Sequence, residues 1–287
     1  MAAAWATTKL ATPNLAIEPE DRKVVTTLEA LLSQALTPHE AATSLATAYE
    51  PRLQSGQTDT CTLWSIYCDA IATFGHDEAC LARLVDTLLC LGKLPDVRDG
   101  AGNPVVWNGS VFWRDVPDFT FWMSESIASP PFMPRNIPPA KRDTAREHRL
   151  AMNYAHGTTF AARYLAALDR EEYEDEGEAR SRRVRDGMRE LAREALQAAF
   201  GPGQGIEADV QEARVLVPAA ATWMLVAGRS LYMACRERFT DTGRREGFSL
   251  DGWARWKTAF AGVEEDAGLV RVAGAAVAEM KTLEQEC

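Results

Sequence analysis

ARVLVPAAATWMLVAGRSLYMACRERF, residues 213–239, is the most apolar long segment of the chain, and its reading decides the fold. Leu216, Ala220, Trp223, Ala227, Ser230 and Leu231 recur at three- and four-residue steps. Val217, Met224 and Tyr232 widen that stripe until little of the helix surface is polar. A helix apolar nearly all round is buried in a large protein or in a membrane. The run 216–235 is long enough to span a bilayer, but Arg229 falls inside it, where a charge costs about 2.5–3.5 kcal/mol on insertion scales. Pro218 and Gly228 interrupt it as well. The segment therefore reads as the buried central helix of a soluble fold, without a membrane span. Arg229 is then expected to be buried and paired with a carboxylate, for which Asp115, Asp118 and Glu125 are the candidates.

Composition agrees with a globular chain. At 287 residues and 46% hydrophobic content it can bury a sizeable core, as one large helical domain or two small ones. A formal net charge of −10 with no basic stripe disfavours nucleic acid, anionic membrane surfaces and polyanions as partners. The six cysteines, at 61, 68, 80, 90, 235 and 287, make no CxxC pair and sit mostly in apolar helical contexts. They read as reduced core residues of a cytoplasmic protein. The opening MAAAWATTKLATPN has neither a basic n-region nor an apolar h-region, so no secretion is expected, and residues 1–18 read as a loose lead.

Working outward, DRKVVTTLEALLSQAL, PHEAATSLATAYEPRL, DTCTLWSIYCDAIATFG and HDEACLARLVDTLLCLGKLP predict four helices in series. Their apolar residues fall on one face each, and their short joints favour antiparallel packing. The pattern breaks after Pro95. In VVWNGSVFW, Asn108-Gly109 between apolar triplets is a hairpin signal, so one short β-hairpin at 105–113 is consistent with the sequence. It would persist only if Trp107 and Trp113 dock on helices. PPFMPRNIPPAKR marks a proline-rich connector at 129–140 between two helical sub-bundles. Beyond it come a long amphipathic helix through residues 145–169, an acidic run, a second amphipathic helix ending at GPGQG, the central helix, and two more helices to the C-terminus. The expectation is an all-α fold of roughly ten packed antiparallel helices, a single helical domain over residues 19–287.

The chemistry-bearing motifs are few. The acidic run Asp169, Glu171, Glu172, Glu174, Asp175, Glu176 resembles an Mg2+ platform, but the arginines at 180, 182, 183 and 185 explain it as a solvated, paired face. The four histidines make no zinc pattern, GPGQG follows a helix rather than a strand, and no GxSxG is present, so no metal ligand is assigned. What stands out is tryptophan usage, together with polar residues embedded in apolar faces. Trp113, Trp122, Glu125, Asn153, Tyr154, Trp223, Arg229 and Tyr232 form the candidate pocket, supplied by the 112–125 segment, the 150–165 helix and the central helix. No catalytic residue is assigned.

Taken in order, LWSIYCDAI (63–71), WNGSVFWRDVPDF (107–119), NYAHGTTFAARYL (153–165), AAATWMLVAGRSLY (219–232) and WARWKTAF (253–260) resemble the fungal OpdG-like family, an ascomycete domain family of unknown function. The resemblance covers about residues 20–280, and the order and spacing of the motifs carry it. It implies an all-helical ascomycete protein encoded near secondary-metabolite genes. A more distant resemblance is to fungal humulene-type sesquiterpene cyclases that lack the aspartate-rich motif. Mg2+ enters as a cofactor only under that second resemblance, and this chain has no DDxxD or NSE-type triad to hold it. Two readings stay open. One is an enzyme or binding protein acting on a small apolar molecule in secondary metabolism, and the other is a non-enzymatic helical interaction or scaffold protein. The residues fix neither enzymatic activity nor oligomeric state.

Overall fold

The structure is a computed structural model that describes residues 1–11, 18–131, 143–174, 182–201, 210–236, 248–264 and 266–286. Eleven α-helices and one two-stranded ribbon occur among the described residues, so the fold is all-α. The chain divides into two compact units: Met1–Ser126 with Glu172–Arg185, and Ile127–Glu171 with Asp186–Cys287. The proline-rich connector, GPGQG and most of the acidic run lie outside the described residues.

In the first unit α1 (Ala2–Ala11), α2 (Pro19–Leu32), α3 (Pro38–Gln54), α4 (Cys61–Phe74) and α5 (Glu78–Leu91) precede the ribbon. Local chemistry sets several starts. Thr37 and Glu40 close a capping box ahead of Pro38, so two N–H groups of α3 are met by side chains. Asp77 accepts from the Cys80 N–H at the start of α5. The core forms from the apolar stripes of α2, α3, α4 and α5, with Leu28, Leu45, Trp64, Ile71, Leu84 and Leu88 wholly buried. Buried polar groups are tied off individually. The Tyr49 hydroxyl donates to Asp21 at 2.6 Å, and the Tyr67 hydroxyl donates to the Leu84 carbonyl at 2.6 Å.

The lead expected to be loose is instead the helix α1, with Trp5 buried against Phe74 and its indole N–H donated to Asp69 at 2.7 Å. One aromatic anchor with a polar handle is enough to dock so short a helix.

The hairpin expectation holds. β1 (Val106–Trp107) pairs antiparallel with β2 (Ser110–Val111), and both turn residues have positive φ, 49° at Asn108 and 76° at Gly109. That is the primed turn whose twist matches a two-stranded ribbon. Arg183 donates to the Asn108 carbonyl at 2.6 Å and to the Ser110 hydroxyl at 3.3 Å, which fixes the turn from outside. Then α6 (Phe119–Met123) runs into a π-helical turn, Ser124–Ala128, at the boundary of the units.

The second unit is built from α7 (Thr144–Glu174), α8 (Arg182–Phe200), α9 (Val210–Arg236), α10 (Leu250–Ala261) and α11 (Ala267–Glu286), the first four residues of α8 and last three of α7 belonging to the first unit. Helix α9 is the apolar segment with which the sequence reading began, and it packs on α10 and α11. Pro218 and Gly228 do not interrupt it. Gly228 instead admits α11, since a Cβ there would stand 2.9 Å from Leu283 Cδ1. By length and composition α9 could cross a membrane, but 67% of that window is buried within the protein, as in a core helix. Tyr232 packs on Trp253 with ring centroids 5.0 Å apart, and the Trp253 indole donates to Glu284.

Candidate functional site

Helix α7 presents Tyr154, Thr158, Ala161, Leu165 and Leu168 at alternating four- and three-residue steps, all buried. This is the inward stripe of an amphipathic helix whose first two positions are polar. Tyr154 and Thr158 lie one turn apart on the same face, each 1% exposed. Among the described residues neither hydroxyl meets a partner at hydrogen-bond geometry, although the Thr158 hydroxyl is near enough for the phenol to feel it.

Thr158 could have met that need within its own helix. A helical threonine commonly donates to the carbonyl four residues back. Thr159 does so to Ala155, and Thr87, Thr222 and Thr258 do the same elsewhere in the chain. The Thr158 hydroxyl leaves that bond unmade. The turn carrying the pair is also pinned, because Gly157, buried between them, lies against the Ile127 carbonyl.

A carboxylate completes the group. Glu194 of α8 is half-buried, and its charge reaches the Tyr154 phenol. Burial raises the Glu194 pKa, the neighbouring Glu190 raises it further, and Arg193 offsets this in part. Arg193 itself is committed to Glu190, donating from Nε at 2.7 Å. Burial likewise raises the Tyr154 pKa, so the phenol stays a donor across the physiological range. The arrangement is two converging, unpartnered O–H groups beside a carboxyl biased toward its protonated form.

The first unit holds a second set of unmet polar atoms. In the turn after β2, Val111 N–H donates to Asp115 Oδ2 at 2.7 Å while Asp115 N–H donates back to the Val111 carbonyl. Trp113 (φ 62°), Val116 (φ 37°) and Asp118 (φ 63°) take left-handed backbone, which is costly for a β-branched residue such as Val116. The strain is held from several sides: the Trp64 indole donates to the Pro117 carbonyl, the Trp107 indole to Asp118, and Arg114 pairs with Asp96. Trp113 Nε1, Asp115 Oδ1 and the hydroxyl of Thr60, each buried, have no partner among the described residues.

Of the residues singled out from sequence, Trp113, Trp122 and Glu125 belong to the first unit, and Asn153, Tyr154, Trp223, Arg229 and Tyr232 to the second. Trp113, Tyr154, Trp223 and Tyr232 are buried, Trp122 and Asn153 half-buried, and Glu125 exposed. Arg229 corrects the expectation of a buried charge, because its side chain is exposed. It shares the outward stripe of α9 with Arg214, Leu225 and Arg236, spaced by eleven, four and seven residues, so water solvates the guanidinium. Thr158 and Glu194 went unnoticed in the sequence. Their signal was there, a hydroxyl and a carboxyl within the apolar stripes of two amphipathic helices.

Cys61, Cys68, Cys80 and Cys235 carry free thiols. Among the described residues no three His, Cys, Asp or Glu side chains gather as a metal ion requires.

The model of one protein family, described as "Protein of unknown function (DUF3632)", matches residues 64–260. No curated protein and no solved structure matches the chain.

Proposed function

The chain belongs to the DUF3632 family of proteins of unknown function, and from that premise we propose that its second unit binds a small, mostly apolar molecule through the Tyr154 and Thr158 hydroxyls. The observation that carries this reading is the unmade bond of Thr158. Buried polar groups are paired in about nine cases of ten or more, and an unpaired one costs about 1–3 kcal/mol. A threonine with an acceptor in its own helix that still points elsewhere is poised for an external partner. The surrounding stripe, Ala161, Leu165 and Leu168, supplies an apolar environment for the rest of such a molecule.

The finer setting rests on resemblance. The ordered motifs from 63 to 260 support a fungal, OpdG-like protein of secondary metabolism, working in the cytoplasm on a small apolar ligand. A terpene-cyclase-like activity would be one form of this, and it alone would bring Mg2+. The net charge of −10 supports a role away from nucleic acid.

A second reading, a helical interaction protein, draws on the exposed Val106, Trp107 and Phe121 of the first unit. Thermal denaturation against a panel of ten- to twenty-carbon isoprenoid and polyketide-like alcohols, ketones and hydrocarbons separates the two. The small-molecule reading expects at least one class to raise the melting temperature of wild type and to do so much less in Tyr154→Phe. Incubation with farnesyl diphosphate and Mg2+, read for volatile hydrocarbons, tests the enzymatic form. A panel without effect on wild type favours the interaction protein.

A further inference from the structure

We infer that the atom received by Tyr154 and Thr158 is a carbonyl oxygen, so that the ligand class is an apolar ketone or aldehyde; this rests on the small-molecule reading of the same site. The inference follows from counting hydrogens and lone pairs. Each hydroxyl has one hydrogen to give, the two lie one turn apart on one buried face, and neither hydrogen has an acceptor among the described residues. A single oxygen with two lone pairs and no hydrogen of its own satisfies both and leaves nothing over. A carbonyl oxygen has that description.

Other ligand chemistries fit less well. An alcohol oxygen brings a third hydrogen into a space whose nearest recorded carboxyl, Glu194, is biased toward its own protonated form. A phosphate or carboxylate meets the charge of Glu194 and Glu190, and the one adjacent guanidinium, Arg193, is already bound to Glu190. An ammonium has no lone pair to accept from either hydroxyl. A hydrocarbon leaves both hydroxyls unpaired.

Two donors on one carbonyl oxygen polarise the C=O bond, and they strengthen as charge develops on the oxygen. Their fixed position is given by the Gly157 contact with the Ile127 carbonyl, which holds the turn between them. The site is thus built to bind a carbonyl in a polarised state.

The test uses the full chain and three matched scaffolds of ten to fifteen carbons, each supplied as ketone, secondary alcohol, primary amine and parent hydrocarbon. Binding is measured by calorimetry, and the bound ketone carries a 13C-labelled carbonyl read by infrared difference spectroscopy. The expected result is ketone binding at least tenfold tighter than the matched alcohol, amine and hydrocarbon, with the carbonyl stretch moved to lower frequency than in an alkane solvent. Tyr154→Phe and Thr158→Val should each weaken ketone binding about tenfold and each remove part of the frequency shift, with the double variant removing all of it. Equal binding of ketone and hydrocarbon, tighter binding of alcohol or amine, or an unshifted carbonyl overturns the carbonyl assignment while leaving a small-molecule site in place. Failure of every compound to bind wild type overturns the small-molecule reading and this inference with it.

Discussion

A Cβ on Gly157 would stand 2.3 Å from the carbonyl oxygen of Ile127 and 2.7 Å from its carbon. Replacing a glycine inside a helix by alanine ordinarily gains about 0.5–1 kcal/mol. Here the obstacle is backbone, which has no rotamer to change, and overpacking of this kind costs about 1–3 kcal/mol. Gly157→Ala should therefore lower the urea midpoint. Gly228→Ala is the control, because its neighbour at 2.9 Å is the flexible end of Leu283. It should stay close to wild type, and equal behaviour of the two variants would mean that the Ile127 contact does not hold in solution.

Two buried tyrosines should respond oppositely to loss of their hydroxyls. Tyr49→Phe removes the donor at 2.6 Å from Asp21, a carboxylate only 5% exposed, and should cost about 1–3 kcal/mol. Tyr154→Phe removes a hydroxyl without a partner among the described residues, and the ligand-free variant should match or exceed wild type. Side-by-side thermal denaturation decides it, with an equal loss in both showing that the Tyr154 hydroxyl is paired in solution. The pH dependence adds a check. Burial, then the hydrogen bond to Asp21, raise the Tyr49 pKa above its ordinary 10.0. The folded state then holds its proton more tightly, so this contribution is complete below pH 10.0 and is lost as the pH rises further. Tyr49→Phe should flatten that alkaline loss.

Arg229→Leu should change stability by no more than about 0.5 kcal/mol, since the side chain is exposed and breaks no ion pair on removal. A loss of several kcal/mol in chemical denaturation would restore the buried pair that the sequence alone suggested.

That residue marks where sequence reasoning reached its end. The all-α class and the helix stripes were readable because period and burial follow from local spacing, and Asn108-Gly109 was readable because a primed turn needs positive φ at both positions. Arg229 was misjudged because a nearly all-apolar composition hides which narrow face points outward, and only the neighbours of α9 decide that. Trp5 was missed because one aromatic among small residues gives no stripe, while its partner Asp69 is 64 residues away. Tyr154 was legible as a polar group on an apolar face. Thr158 was not, because whether a helical threonine satisfies itself depends on its rotamer, and the sequence does not set that.

Cys61 offers a charge test at the start of α4. Burial first, then the adjacent Asp59, push its thiol up to about 11. Asp59 accepts from the Cys61 N–H at 2.9 Å, a cap that asparagine can keep. Asp59→Asn should speed iodoacetamide labelling of Cys61 several-fold at pH 8.5, read by peptide mass spectrometry, because it enlarges the thiolate fraction. Cys68 and Cys235, buried and both pushed up to about 12, should stay unlabelled in the native protein. An unchanged Cys61 rate would remove Asp59 as a cause.

The last expectation concerns how α1 is held. Asp69 takes the Trp5 indole N–H on Oδ2 at 2.7 Å and the Lys9 ammonium on Oδ1 at 2.6 Å, so one carboxylate of α4 holds two side chains of a ten-residue helix. The Lys9 pair is partly exposed, and such pairs contribute about 0–1 kcal/mol. Trp5 is different: it is 7% exposed and packs edge-on to Phe74 at 5.8 Å, which makes it the anchor. An isolated helix of this length is marginal in water, so losing the anchor should release all of α1 rather than loosen one turn. Trp5→Ala should make the first eleven residues sensitive to limited proteolysis and fast in amide exchange, with α2 to α5 still protected. Lys9→Ala should leave both readouts near wild type, and Asp69→Asn should fall between them. Protection of α1 in Trp5→Ala equal to wild type would show that its small residues, and not the tryptophan, carry the docking.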